Sequence, residues 1–178
     1  IIVADGGVVD ILKEYAPDVE LHISTQANTI SYHAANFWYK NGAKRVILAR
    51  ELNKEQIREI TDNKPMGLET EIFVHGALCV SYSGNCLMSG LTGYRSGNRG
   101  RCVGSCRKQY ELIDISNQKT ISNSFILSTK DLNTLKNVDQ FKGIDSLKIE
   151  GRMKESIYVA NVISNYRQAL DGKYTPQM

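Results

Sequence analysis

The chain is sparing with several residue types: of 178 residues only four are cysteine, three proline, three histidine and one tryptophan. No cysteine lies outside Cys79–Cys106, so a framework of disulfides stapling distant elements is excluded. There is no H-E-x-x-H and no G-x-S-x-G, which removes the usual zinc-protease and serine-hydrolase signatures. No apolar run approaches the roughly 18 residues of a membrane span. Residues 1–30 lack a basic start followed by an apolar signal core, and a soluble, cytoplasmic protein is expected. A formal charge of +3 says little about partners. Acid is missing locally, however: Gly76–Tyr110 holds five Arg or Lys and no Asp or Glu.

What is present is a cluster. Cys79, Cys86, Cys102 and Cys106 fall within 28 residues as C-x6-C-x15-C-x3-C. Structural cysteines scatter over a core, whereas metal ligands must converge on one point. Nearby cations lower thiol pKa and favour the ligating thiolate. Three readings stay open. Two disulfides would suit a secreted chain, but a chain this long buries a core without staples. Structural zinc favours two short knuckles, and only Cys102 and Cys106 are close enough for one. An iron–sulfur cluster takes four thiolates at varied spacing.

Apolar periodicity predicts alternating strands and helices. Ile1–Asp5 is a β-rich run followed by Gly6-Gly7 and a helix over Val8–Tyr15, so the chain opens as if inside a β/α unit. Val19–Ser24, Arg45–Ala49 and Leu68–Val74 read as strands; 29–40 and Lys54–Thr61 read as helices, the second capped by Asn53 and the first stopped by Asn41-Gly42. Beyond the cysteines, Tyr110–Ser116 and Phe125–Ser128 read as antiparallel strands joined by the turn Asn117–Ser124. A helix Lys130–Asn137, a strand Ser146–Glu150 and a helix Ser156–Leu170 follow. The pattern predicts an α/β fold: a partial (β/α) TIM-type barrel with an inserted Cys-rich loop, residues 76–108, and a short antiparallel hairpin. Residues 1–178 are expected to be one fragment of a larger barrel domain, its first strands and any C-terminal domain missing. Self-association or a missing segment would cover the open edge.

In such barrels the strand exits carry the chemistry. The candidates there are Arg50, Glu51, Glu71, His75, Glu150 and Arg152 for catalysis, with Gln26 and Asn28 lining a substrate pocket. Arg50 or Arg152 paired with Glu51 or Glu150 would equally make structural salt bridges. Of the histidines, His33 reads as a helix-surface or packing residue and His22 as a satisfied strand residue. His75, near Glu71, is the general-base candidate. Arg95, Arg99, Arg101 and Lys108, interleaved with glycines and Tyr94, suit RNA phosphates, Tyr94 stacking on a base. The same charges would also serve simply to offset the thiolates.

The stretch Glu71-x-Phe73-Val74-His75-Gly76-Ala77-Leu78-Cys79-Val80-Ser81-Tyr82-Ser83-Gly84-Asn85-Cys86 resembles the signature of the collagenase-like peptidase family U32. Ser24–Thr29, Leu48–Leu52, Gly97–Cys102 and Ser146–Lys154 resemble it too. The resemblance implies RNA-base hydroxylation, of transfer-RNA wobble uridine or a 23S ribosomal-RNA cytidine, without molecular oxygen. It implies a 4Fe–4S cluster, Cys79, Cys86 and Cys102 matching the first three ligands. Quinone-pathway relatives have their fourth further along, where this chain has Asn133, so Cys106 completes the set. Prephenate is implied as a small-molecule co-substrate suited to an arginine-lined pocket.

Three functions from different classes are therefore carried forward. The first is an iron–sulfur RNA hydroxylase. The second is a peptidase, as the family name says, although no nucleophile stands beside His75 except a cysteine wanted by the cluster. The third is a non-catalytic iron–sulfur or RNA-binding scaffold, against which the polar strand exits argue.

Overall fold

The computed structural model describes residues 1–151 and 154–174. In chain order the elements are β1 (Ile2–Val3), α1 (Gly6–Tyr15), β2 (Leu21–Ile23), α2 (Tyr32–Lys40), β3 (Ala43–Ile47), α3 (Lys54–Asn63) and β4 (Glu69–Ala77). Then come α4 (Met88–Gly93), β5 (Tyr110–Asp114), β6 (Lys119–Ser124), β7 (Asp131–Asn133), β8 (Ser146–Ile149) and α5 (Ser156–Leu170). They form two compact units, one of Ile1–Leu78 with Asp131–Met178 and one of Cys79–Lys130. Among the described residues no helix is long and apolar enough to cross a membrane.

The first unit is an α/β sheet. β1, β2, β3, β4 and β8 run parallel in that order, and β7 adds antiparallel to the end of β4. α1, α2 and α3 start where short polar side chains satisfy their first amides. Val8 N–H donates to Asp5 Oδ1 at 3.0 Å, and Ala34 N–H to Ser31 Oγ at 3.2 Å. Asn53 and Gln56 form a reciprocal capping box at the head of α3. α2 ends as its sequence predicts, Asn41 capping it and Gly42 following at φ +93°.

Strand alternation sorts the side chains onto two faces. Ile23, Val46, Ile72 and Val74 are buried with Val9, Ala35 and Ile60 from the first three helices, making one apolar core. The opposite face carries charge: Arg45, Glu71 and Lys148, from β3, β4 and β8, line a cavity of about 500 Å³ together with Ile2 of β1, His22 of β2 and one side of α5. At the entry of β4, Asp145 accepts from Thr70 N–H at 2.8 Å and from Thr70 Oγ1 at 3.1 Å, and is paired with Lys64. Burial raises its pKa, but the Lys64 and Thr70 hydrogen bonds outweigh that and hold it below the ordinary carboxylate value.

Two segments depart from the sequence expectation. Lys130–Asn137 is not a helix: Asp131–Asn133 is strand β7 and Leu135–Phe141 a 3-10 segment. The leucine spacing suggested a helix, but the unpaired end of β4 takes the backbone first, His75 opposite Asn133. The second hairpin strand is Lys119–Ser124, inside the expected turn, and Phe125–Ser128 is itself a turn. The cause is Asp114, whose carboxylate accepts from Ser116 N–H at 2.8 Å and Asn117 Nδ2 at 2.8 Å. With Gln118 at φ +55° the chain reverses within four residues, 115–118. The remaining polar, β-branched run is then free to pair.

Just past β8 the chain runs beside the end of β4 with no room for a side chain between them. Gly76 has φ +100°, and a Cβ there would stand 2.1 Å from Glu150 O. A Gly76→Ala substitution is therefore expected to destabilise the protein by about 3 kcal/mol or more, combining left-handed strain with backbone overlap. Gly42→Ala, at φ +93° but with nothing within 4 Å, should cost only about 1 kcal/mol. Urea unfolding of both variants measures the difference.

Candidate functional site

The exits of β2, β3, β4 and β8 lie at the same edge of the sheet. After β2 the chain turns through Thr25–Ala27, with Gln26 N–H donating to Ser24 Oγ at 3.2 Å and Asn28 left-handed at φ 54°. Thr25 Oγ1 donates to Leu48 O at 3.2 Å and Ala49 N–H to Thr29 O at 3.1 Å, fastening the β2 exit to the β3 exit. Arg50 follows at once. Its guanidinium lies 4.1 Å from the centre of the Phe73 ring, and Nη2 is 3.8 Å from Glu150. Glu150 N–H donates to His75 O at 2.8 Å. The His75 ring meets Tyr158 Oη at 3.1 Å through Nε2 and abuts Tyr166 edge-on. Burial lowers the His75 pKa against a smaller raising effect of Asp131, so the folded ring favours its neutral form.

The predicted residues thus divide. Arg50, His75 and Glu150 are neighbours, Gln26 and Asn28 lie in the turn that leaves β2, and Glu51 is exposed beside Arg50. Arg152 lies outside the described residues. Glu71 is elsewhere on the same strand, four residues before His75 and roughly 13 Å along it. Its carboxylate accepts from Lys148 Nζ at 2.8 Å, Ser146 Oγ at 2.7 Å and Arg45 Nη1 at 3.2 Å. Burial pushes its pKa up, but these hydrogen bonds and cations outweigh it and the net shift is downward. Such a carboxylate is a structural anion rather than a proton acceptor at neutral pH. His22 bonds Glu20 Oε1 at 2.6 Å, and His33 is exposed against Tyr32, both as expected of non-catalytic histidines.

The cysteines all belong to the second unit, and all four are free thiols. Met88 N–H donates to Cys86 Sγ and Gly104 N–H to Cys102 Sγ, each at 3.4 Å. Gly97 separates the two segments: a Cβ there would be 3.6 Å from Cys86 O and 3.8 Å from Cys102 Cβ. Val103 N–H donates to Ser89 Oγ, at 3.2 Å, tying the Cys102 segment to α4. Among the described residues no three His, Cys, Asp or Glu side chains are gathered as a metal-binding group. The donor set is four unpaired thiols in one unit, the ligand type that an iron–sulfur group takes. Arg95, Arg99, Arg101 and Lys108 are exposed, while Arg107 donates to Ser128 Oγ and Thr129 Oγ1. Tyr94, in the left-handed C-cap of α4 at φ 53°, is 100% exposed.

Phe73, Tyr158, Tyr166 and Thr29 take part in the strand-exit site without having been singled out in the sequence. Thr29 alone carried a local signal, standing directly after the Gln26–Asn28 turn.

A parallel α/β sheet with a charged strand-exit edge and a separate four-cysteine unit defines a recognisable class. Residues 1–177 match the model of peptidase family U32, and the chain belongs to that family. It is 41% identical to tRNA hydroxylation protein P1 of Bacillus subtilis over 96% of this chain and 42% of that one. It is 40% identical to the 23S rRNA 5-hydroxycytidine C2501 synthase of Escherichia coli over 96% of this chain and 26% of that one. It is also 39% identical to a protein of Porphyromonas gingivalis named collagenase, over 86% of this chain and 40% of that one. The chain spans less than half the length of each of these relatives.

Two acid limbs of stability follow from the shifted groups. A histidine with a lowered folded pKa binds its proton more readily when unfolded, so stability falls as pH drops below the ordinary value of 6.5. Glu71, also lowered, adds a second loss as pH drops below 4.5. Urea unfolding across pH should show the upper limb flattened by His75→Gln. The Glu71→Gln variant should lose stability already at neutral pH, because Lys148 is left without its carboxylate and Arg45 keeps only Glu69.

Proposed function

We propose that this chain carries the strand-exit site and the cluster ligands of an iron–sulfur RNA hydroxylase. It would act on a pyrimidine base, a transfer-RNA uridine or a 23S ribosomal-RNA cytidine, independently of molecular oxygen. The observation that carries the reading is that relatives named for tRNA hydroxylation and for 5-hydroxycytidine synthesis match across 96% of the chain. The finer fold reading, an arc of a (β/α) barrel, is supported by parallel strands that alternate with α1, α2 and α3, whose apolar residues pack on one face of the sheet.

In this reading Cys79, Cys86, Cys102 and Cys106 hold a 4Fe–4S cluster, which supplies electron-transfer chemistry when bound. Arg50, backed by Phe73 and Glu150, presents a fixed cation at the strand exits, suited to a small anionic co-substrate such as prephenate. Neutral His75, held by Tyr158, is placed to take or give a proton at Nδ1. Arg95, Arg99, Arg101 and Lys108 contact RNA phosphates, with Tyr94 free to stack on a base. The peptidase reading rests on names alone, since the located nitrogen of His75 meets a tyrosine hydroxyl rather than a serine or cysteine.

Nucleoside mass spectrometry of RNA from cells lacking the full-length gene tests the activity: loss of one hydroxylated pyrimidine supports it, and an unchanged nucleoside profile rejects it. For the phosphate contacts, the double variant Arg99→Ala, Arg101→Ala should lower the slope of log affinity against log salt by roughly 0.7 per lost contact, for all RNA sequences alike. Filter binding at several salt concentrations checks this. Cys86→Ala should abolish iron retention in anaerobic preparations while far-ultraviolet circular dichroism stays unchanged.

A further inference from the structure

Among the described residues four buried side-chain polar atoms lack a hydrogen-bond partner: Thr29 Oγ1, Arg50 Nε, His75 Nδ1 and Ser105 Oγ. Ser105 belongs to the cysteine-bearing unit. The other three stand at the exits of β2, β3 and β4, which are consecutive neighbours in the sheet. Backbone hydrogen bonds and neighbouring side chains join the three exits. Ala49 N–H donates to Thr29 O, and Arg50 lies over Phe73, two residues before His75 on the same strand. Glu150 touches Arg50 at 3.8 Å and donates its N–H to His75 O. Thr29 is 0% exposed and the Arg50 side chain 15%. Polar atoms withdrawn from water normally find partners, so three open valences on adjacent strand exits mark a place where something else supplies them.

We infer that Thr29, Arg50 and His75 read the hydrogen-bonding edge of a pyrimidine base. This rests on the RNA-hydroxylase reading above and assigns the base-recognition residues of the same site. Arg50 Nε–H can only donate, and so takes an acceptor; the O2 carbonyl, common to uracil and cytosine, is one. The Thr29 hydroxyl gives or takes a hydrogen bond, and His75 Nδ1 does either according to tautomer. The Tyr158 hydroxyl at Nε2 also serves as donor or acceptor, so it permits both tautomers. Two convertible groups beside one fixed donor fit both the N3–H and O4 pattern of uracil and the N3 and N4–H pattern of cytosine. Reading an unstacked base on its Watson–Crick edge is the general mode of single-stranded RNA recognition.

The test compares wild-type protein with Thr29→Val, which keeps the shape and removes the hydroxyl, and Thr29→Ser, which keeps the hydroxyl. The probes are one short single-stranded RNA carrying a single cytidine, a single uridine or an adenosine at the same position. Wild type should prefer either pyrimidine RNA over the adenosine RNA by about tenfold. Thr29→Val should lose most of that preference, a change of about tenfold, with unaltered affinity for the adenosine RNA. Its ligand-free Tm should be unchanged or higher, because an unpartnered buried hydroxyl is gone. Thr29→Ser should restore the preference. A Thr29→Val protein that keeps the pyrimidine preference overturns the inference alone. So does one whose free form is destabilised, since the hydroxyl would then be held by the fold or by a buried water. Wild type that binds none of the three RNAs overturns the hydroxylase reading and this assignment together.

Discussion

Everything at the strand exits depends on how closely the chain leaving β8 runs beside the end of β4. The two chains meet backbone to backbone at Gly76 and Glu150, closer than any side chain would permit. That approach lets Glu150 N–H reach His75 O and sets the Glu150 carboxylate beside Arg50. The same strand end also pairs with β7. β4 is therefore held on both edges up to its last residues.

The two faces of the sheet do different work. Burial of Ile23, Val46, Ile72 and Val74 against the helices supplies the hydrophobic drive. The other face gives up that contribution to hold Arg45, Glu71 and Lys148, joined by hydrogen bonds at 2.8–3.2 Å. Each charge there is matched, which is the condition for keeping it out of water. The matching also fixes register: a one-residue slip of β8 would carry Lys148 to the apolar face and bring Leu147 against Glu71.

Much of this was legible in the residues. Period-two and period-3.6 patterns located the parallel strands and the helices before the cysteines, and Asn53 and Asn41-Gly42 marked helix ends by their capping chemistry. Tertiary pairing was not legible. The short segment Asp131–Asn133 becomes a strand only because β4 offers an unpaired end, a fact no local pattern contains. The hairpin was displaced for a related reason, since the Asp114 side chain sets the turn more strongly than hydrophobicity sets the strands. At the site, residue type picked out Arg50, His75 and Glu150, which the fold makes neighbours. It equally picked out Glu71, which the fold commits to an ion-pair network, and it gave no sign of Tyr158 or Tyr166, reached across some eighty residues or more of chain.

The cysteine-bearing unit is continuous in sequence, whereas the sheet-bearing unit is assembled from two segments on either side of it. The order of events in folding should follow. Residues 79–130 can organise from contacts near in sequence, while β4 must wait for β8 to arrive across the intervening segment, a contact of high order and slow formation. The entropy of closing that loop grows only logarithmically with its length, about 0.6 kcal/mol for each doubling. The insertion can therefore vary in size among relatives with little penalty to the sheet. An inserted unit that forms early also shortens the effective loop, so ordering around the cysteines would speed the closure on which Gly76 and Glu150 depend.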